Sequence, residues 1–307
     1  MDVETHKSSE SKSKAWVKAM RLSTLPLAIA STLTGAFLAL HQGWFDPFLF
    51  AMTAITTVLL QINSNLANDY GDFQQGTDND ERVGPMRALQ SGVLRPEEVR
   101  NGIIGFSVLS LISGVLLLYF SNLELIEKVI LFALGLAAIY ASIKYTAGSN
   151  PYGYRGLGDL SVVIFFGFVG VIGAYIIQVG TLDPTVFLPA ISIGCFSAGV
   201  LNVNNTRDLD SDENAGKITL AVRLGAKGAR IYHVVIILTG LMSMIAYGLL
   251  NFDKWMNWIF LVSLPLFLLN AVKVYTTHEA IKLDPWLKQL ALTTFFFALL
   301  IAIGVSI

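Results

Sequence analysis

Long apolar runs separated by short polar breaks set the pattern of this chain. Nine of them, at about 24–41, 47–68, 98–120, 125–145, 159–179, 185–206, 229–250, 255–276 and 286–306, approach the roughly 20 residues that one helix needs to cross a bilayer. The pattern predicts an all-α, polytopic membrane protein: a single bundle of nine transmembrane helices. Residues 1–307 would form one domain, with residues 1–20 a polar segment ahead of the first span.

Composition agrees with this reading. The chain is 54% hydrophobic and 14% charged, against about 25% charged residues in an ordinary soluble domain. Charge then supplies an orientation. When nine spans alternate, only Lys128 and Lys254 of the 21 Lys and Arg fall on one side, and the other 19 share the opposite side. Under the positive-inside rule the N-terminus is cytoplasmic and the C-terminus outside, and a helix more or fewer would scramble the split. The first twenty residues lack the apolar stretch of a secretory signal, and their acidic members argue against a transit peptide. Cys195 is the one cysteine and lies within the sixth span, which excludes a disulfide framework and a cysteine metal site.

Two long connections on the predicted cytoplasmic side, 69–97 and 207–228, are rich in Asp, Asn, Gly and Arg, and a third, 146–158, is rich in Gly. At the end of the second span, Gln61, Asn65, Asn68, Asp69 and Asp72 share one helical face. Such a face cannot meet lipid. At membrane depth it lines the bundle interior or a wet cavity. The sixth span repeats the arrangement with Asn204, Asn205, Asp208 and Asp212, and Asn63, Asn65 and Asp69 fall on Asn202, Asn204 and Asp208 at an offset of 139, a hint of a duplicated unit. All-oxygen donors select hard cations, and Mg²⁺ is usually held by one or two carboxylates together with waters and substrate phosphates. Two converging Asp pairs therefore suit a metal-bridged diphosphate. Arg82, Arg87, Lys217 and Arg223 are candidates for phosphate oxygens left uncovered. Asp208-Leu209-Asp210-Ser211-Asp212 begins like a Ca²⁺-binding EF-hand loop, but Glu213 and Thr219 stand where Gly and Glu belong. Asp46, Asp183, Asp253 and Asp284, isolated beside turns, read as solvating groups, and Asp159 as a helix N-cap.

These motifs resemble those of the UbiA superfamily of intramembrane prenyltransferases. Its second motif, Asp-x3-Asp-x3-Gly-x2-Thr, is complete as Asp208, Asp212, Gly216 and Thr219. Its first, Asn-x3-Asp-x3-Asp, begins as Asn68-Asp69-Tyr70-Gly71-Asp72 but has Gly76 in the last place, with Asp78 two residues on. That variant, followed by Arg82-Val83-Gly84-Pro85-Met86-Arg87, is similar to the menaquinone-forming branch, as are Gly216 to Gly225 and Asn150 to Asp159.

The resemblance implies transfer of a polyprenyl group from a prenyl diphosphate to 1,4-dihydroxy-2-naphthoate with loss of CO₂, in a bacterial plasma (inner) membrane. It implies Mg²⁺ held by Asn68, Asp72, Asp78, Asp208 and Asp212, with Asp69, Asp72 and Asp208 catalytic. Arg21 and Lys144 would join the diphosphate-binding cations, and Tyr140 and Tyr145 would face the prenyl carbocation. Partners are the donor, a small aromatic acceptor and membrane lipid, with no nucleic acid. A different aromatic acceptor, such as 4-hydroxybenzoate, is an alternative. An ion-coupled transporter is a reading of another class, but transporters bind near the bilayer midplane and these acidic groups cluster at one face.

Overall fold

The computed structural model describes residues 11–78 and 83–307. Helices α1 to α5 span Lys12–Met20, Leu25–His41, Pro47–Gln75, Pro96–Phe120 and Leu125–Lys144. Gly158–Val162 (α6) and Gly173–Val179 (α7) flank a widened π-type stretch, Val163–Ile172, and together make the fifth span. Then come α8 (Phe187–Arg207), α9 (Leu209–Asn214), α10 (Leu220–Asn251), α11 (Leu264–Thr276) and α12 (Asp284–Ser306). Among the described residues nine helical spans are long and apolar enough to cross a membrane, and no strand occurs.

Local chemistry explains the boundaries. The Asp46 carboxylate accepts from the N–H groups of Phe48 and Leu49 at 2.8 and 3.2 Å, and Pro47 occupies the first helical position, so α3 starts there. Gly76 ends α3 in the left-handed region at φ 74°, where its N–H reaches Phe73 O. Thr219 caps α10 through the Val222 N–H at 3.3 Å. At Gly35 on α2, an added Cβ would lie 2.1 Å from Val171 O, so this close helix approach requires glycine.

Three sequence expectations change. The second span runs on as helix to Gln75, which keeps Asp69 and Asp72 on one helical face and starts the connection after 75 instead of at 69. A helix needs no apolar residues to continue past lipid, and Gly71 lets it pack against Thr146, whose Oγ1 would sit 2.3 Å from an added Cβ. The seventh helix begins at Leu220, earlier than 229, and bends at Gly225. The segment ahead of the first span is not simply polar. Over 12–20 it is a helix that buries Ala15 and Ala19, packs Trp16 near Leu66, and ties Lys12 to Glu98 at 2.6 Å.

Packing is uneven across the bundle. Phe196 stacks on Phe267 at 4.0 Å between ring centroids, and Phe297 meets both edge-on, in a core that joins α8, α11 and α12. By contrast α5 buries none of its residues, and α4 exposes Leu109, Ile112 and Val115. For apolar side chains, such faces are stable against hydrocarbon and costly against water.

Candidate active site

The polar ends of α3 and α8 face each other across a cavity of about 50 Å³. Asn68, Asp72 and Asp78 line it from one side, and Asn204, Asn205, Asp208 and Asp212 from the other. Helical phase explains why: residues at i, i+4 and i+8 repeat on one face. The Gly76 turn brings Asp78 back to the cavity that Asp72 lines, although no residue of the familiar spacing stands at position 76.

Cations hold these carboxylates. Lys217 Nζ lies 3.5 Å from both Asp72 Oδ1 and Asp212 Oδ1, so one ammonium bridges the two stripes. It also sits 5.4 Å above the Tyr154 ring, whose hydroxyl donates to Asp72 at 2.9 Å. Arg21 pairs with Asp69, and Arg87 Nε lies 3.6 Å from Asp69 and 4.0 Å from Asp78. Arg207 forks onto Asp208 at 2.9 and 2.7 Å, and the Gly84 N–H donates to the same carboxylate at 3.2 Å, bringing the 83–97 connection over the site.

Burial pulls the Lys217 ammonium down, but Asp72, Asp212 and Asp208 outweigh it and hold the group above its ordinary value. Asp212 is pushed up to about 6 by burial, with Lys217 opposing and Asp208 and Asp72 adding to the rise. The phenols of Tyr145 and Tyr154 are raised, first by burial and then by nearby carboxylates, so both remain proton donors at neutral pH.

Among the described residues no three His, Cys, Asp or Glu side chains form a ready cage. The donor set nevertheless fits Mg²⁺. Its all-oxygen carboxylates and amides come in two facing groups, which suits an ion that completes its shell with water and substrate phosphate.

Arg21, Asn68, Arg87, Tyr145 and Asn204 line this polar cavity and also a second one of about 690 Å³. The larger cavity runs into the bundle between apolar walls that include Leu117, Phe165, Phe166 and Val169. It reaches Leu111, Val115 and Leu136, which are exposed on the outer faces of α4 and α5. A charged head and a long apolar tail of one ligand thus find adjoining spaces.

Several expected site residues lie elsewhere. Tyr140 is 65% exposed and lines neither cavity, because it points to the opposite face of α5 from Ile139 and Ser142. Lys144 also lines neither and sits beside Gly148. Arg223 is exposed and donates to Arg155 O at 2.8 Å, closing the 146–158 connection instead of entering the site. Arg82 lies outside the described residues. Asp69 faces Arg21 and Arg87.

Asp159 is within the first turn of α6, and Leu157 is the cap. Tyr154, Arg207 and Asp284 join the polar machinery without having been singled out for it. Tyr154 stood within the Asn150 to Asp159 segment and Arg207 opened the 207–228 connection, whereas Asp284 offered no signal. It accepts from Arg207 at 2.7 Å and from Lys288 at 2.9 Å, and is no mere solvated turn residue.

A membrane-spanning helical bundle with two oxygen-rich helix ends over an apolar cavity is the build of an intramembrane prenyltransferase. Residues 28–300 match the UbiA prenyltransferase family, and the chain belongs to it as a multi-pass integral membrane protein. It is 40% identical over 299 residues to the 1,4-dihydroxy-2-naphthoate octaprenyltransferase of Haemophilus influenzae, covering 96% of this chain and 97% of that one. The apo structure of a UbiA homolog from Aeropyrum pernix K1 superposes with a TM-score of 0.70 at 17% identity, over 93% of this chain and 98% of that one. A UbiA homolog from Archaeoglobus fulgidus bound to GPP and Mg²⁺ has a TM-score of 0.63 at 14% identity, over 95% and 100% of the two chains.

Proposed function

We propose that this chain, working as one domain, transfers a polyprenyl group from a prenyl diphosphate to 1,4-dihydroxy-2-naphthoate with loss of CO₂, giving the demethylmenaquinol of menaquinone biosynthesis. One observation carries the reading: the two acidic helix ends share a polar cavity that adjoins a long apolar one. The near full-length likeness to the Haemophilus influenzae enzyme supports the choice of acceptor.

Asn68, Asp72, Asp78, Asp208 and Asp212 would hold Mg²⁺, which would supply positive charge to the leaving diphosphate. Arg21, Arg87 and Lys217 donate to phosphate oxygens and stabilise the charge that grows as the C–O bond breaks. Asp69 orients Arg21 and Arg87 for that task. Tyr145 lines both cavities, so its ring would stand near the allylic carbon, and the apolar walls would keep water from it. The carboxylate-bearing ring carbon of the acceptor bonds to the prenyl C1 while the electron pair of the broken C–O bond stays with diphosphate. The C–COO⁻ pair then restores the ring as CO₂ departs, so no strong protein base is required.

Acceptor labelled with ¹⁴C in its carboxyl group tests the assignment. The expected result is one labelled CO₂ per diphosphate released. Labelled prenylated product without labelled gas would move the enzyme to an acceptor that keeps its carboxylate, such as 4-hydroxybenzoate.

We also place the site mouth and N-terminus in the cytoplasm and the C-terminus outside. In a Cys195→Ala background, Gln75→Cys and Glu213→Cys should label from the cytoplasmic side and Asp253→Cys from the other. The reverse pattern would invert the topology.

A further inference from the structure

The second acidic stripe is anchored from outside its own helix. Arg207, 3% exposed on the last turn of α8, places Nε 2.9 Å from one Asp208 oxygen and Nη2 2.7 Å from the other. Nη2 also reaches Asn204 Oδ1 at 2.8 Å, while Nη1 donates to Asp284 Oδ1 at 2.7 Å. Asp284 opens α12, 77 residues further along, and its second oxygen takes Lys288 Nζ at 2.9 Å. Arg207, Asp284 and Lys288 line the large cavity, and Asp208 lines the polar one. A row of alternating charge, Lys288, Asp284, Arg207 and Asp208, therefore forms part of the wall between them.

We infer that Asp284 is a positioning residue for the transfer reaction, acting through Arg207 on Asp208. A guanidinium forked onto a single carboxylate fixes its plane and also neutralises it. Divided between Asp208 and Asp284, the same guanidinium still fixes the Asp208 plane but leaves it more of its negative charge for a divalent cation. The carboxylate of α12 thus tunes an oxygen donor on α8 that it does not touch. This rests on the proposed role of Asp208 in metal binding, but not on which acceptor is prenylated.

Mn²⁺ binding to the full-length protein in detergent, followed by electron paramagnetic resonance without donor or acceptor, tests it. Asp284→Asn keeps the size and an oxygen that can accept from Arg207 but removes the charge. It should weaken Mn²⁺ about ten-fold or more, the usual effect of removing a group that orients a metal ligand. Asp284→Glu should recover most of the affinity. Arg207→Lys, which retains the charge but cannot fork, should show a comparable loss. The double variant Arg207→Lys/Asp284→Asn should bind no more weakly than the worse single one, because both act on one contact.

Wild-type Mn²⁺ affinity in folded Asp284→Asn, or losses that add in the double variant, would overturn the inference. So would a lowered melting temperature as the sole effect. If Asp284→Asn does not fold, Asp284→Glu and Arg207→Lys decide: unchanged affinity in Arg207→Lys refutes the inference, and an intermediate value for Asp284→Glu supports it. Absence of Mn²⁺ binding in the wild type both without and with inorganic pyrophosphate would instead remove the metal reading of the site, and this inference with it.

Discussion

The two acidic stripes carry nearly the same residues and are held in opposite ways. On α3, Asp69 and Asp72 receive cations from far along the chain: Arg21 before the first span, Arg87 from one connection and Lys217 from another. On α8, Asp208 is gripped by its own neighbour Arg207, which is in turn tied to Asp284. The α3 stripe continues as unbroken helix to Gln75, whereas the α8 stripe breaks at Asp208 and resumes as the short α9. Lys217 touches carboxylates of both. The first stripe depends on the assembled bundle for its counter-charges, while the second brings its own and depends on α12 to hold it. A repeated sequence pattern has thus been fitted to two different supporting structures.

The largest effect should come from breaking either half. Asp72→Asn and Asp208→Asn should each lower turnover by about 10²–10³-fold or more, the scale seen when a group stabilising transition-state charge is lost. Removing divalent metal with a chelator should abolish turnover. Full activity in one stripe variant, measured as product formed in membranes, would mean that the stripes are not two halves of one charge cluster.

Next is the bridge. Lys217→Met leaves Asp72 and Asp212 facing each other, and stability in metal-free buffer should fall by about 3 kcal/mol, the scale for removing one partner of a buried pair. Mg²⁺ should restore most of it by putting positive charge back between the carboxylates. Thermal unfolding with and without Mg²⁺ measures both, and a loss that Mg²⁺ leaves untouched would place the metal elsewhere.

A smaller effect distinguishes the ends of the stripes. Gly76→Ala should cost about 1–2 kcal/mol from its left-handed backbone alone, because nothing lies within 4 Å of an added Cβ. Gly76→Asp should not rescue Asp78→Asn, since position 76 is used to turn the chain. Rescue would show that the familiar spacing still works here. Smallest of all, Arg223→Ala and Tyr140→Phe should change stability by no more than about 0.5 kcal/mol, as surface substitutions do. Their KM for prenyl diphosphate should match the unmodified protein. A raised KM in Arg223→Ala would bring the 146–158 connection into the site.

The spans were legible because each crossing imposes its own local demand for apolar length, and the stripes because polar residues in helical phase at the end of a span have few other uses. Helix ends were less legible. The connection was expected to start at 69, but backbone hydrogen bonding continued until Gly76 allowed the chain to turn. Aromatic and basic candidates were the least legible. Tyr140 and Tyr145 are five residues apart, and a difference in facing separates a residue exposed at the surface from one at the junction of both cavities. Arg223 and Lys217 lie in the same connection, yet only Lys217 reaches carboxylates.

Sequence by itself determined the all-helical membrane bundle, the two oxygen-rich stripes and the family they mark. Hydrophobic length and helical phase are properties of short segments, so they can be read without knowing what the segments touch. Tertiary structure alone decided which cation meets which carboxylate and that Asp284 stands behind Arg207. Charge pairing falls off within a few ångströms, and the partners here come from positions up to 145 residues apart, as with Asp72 and Lys217.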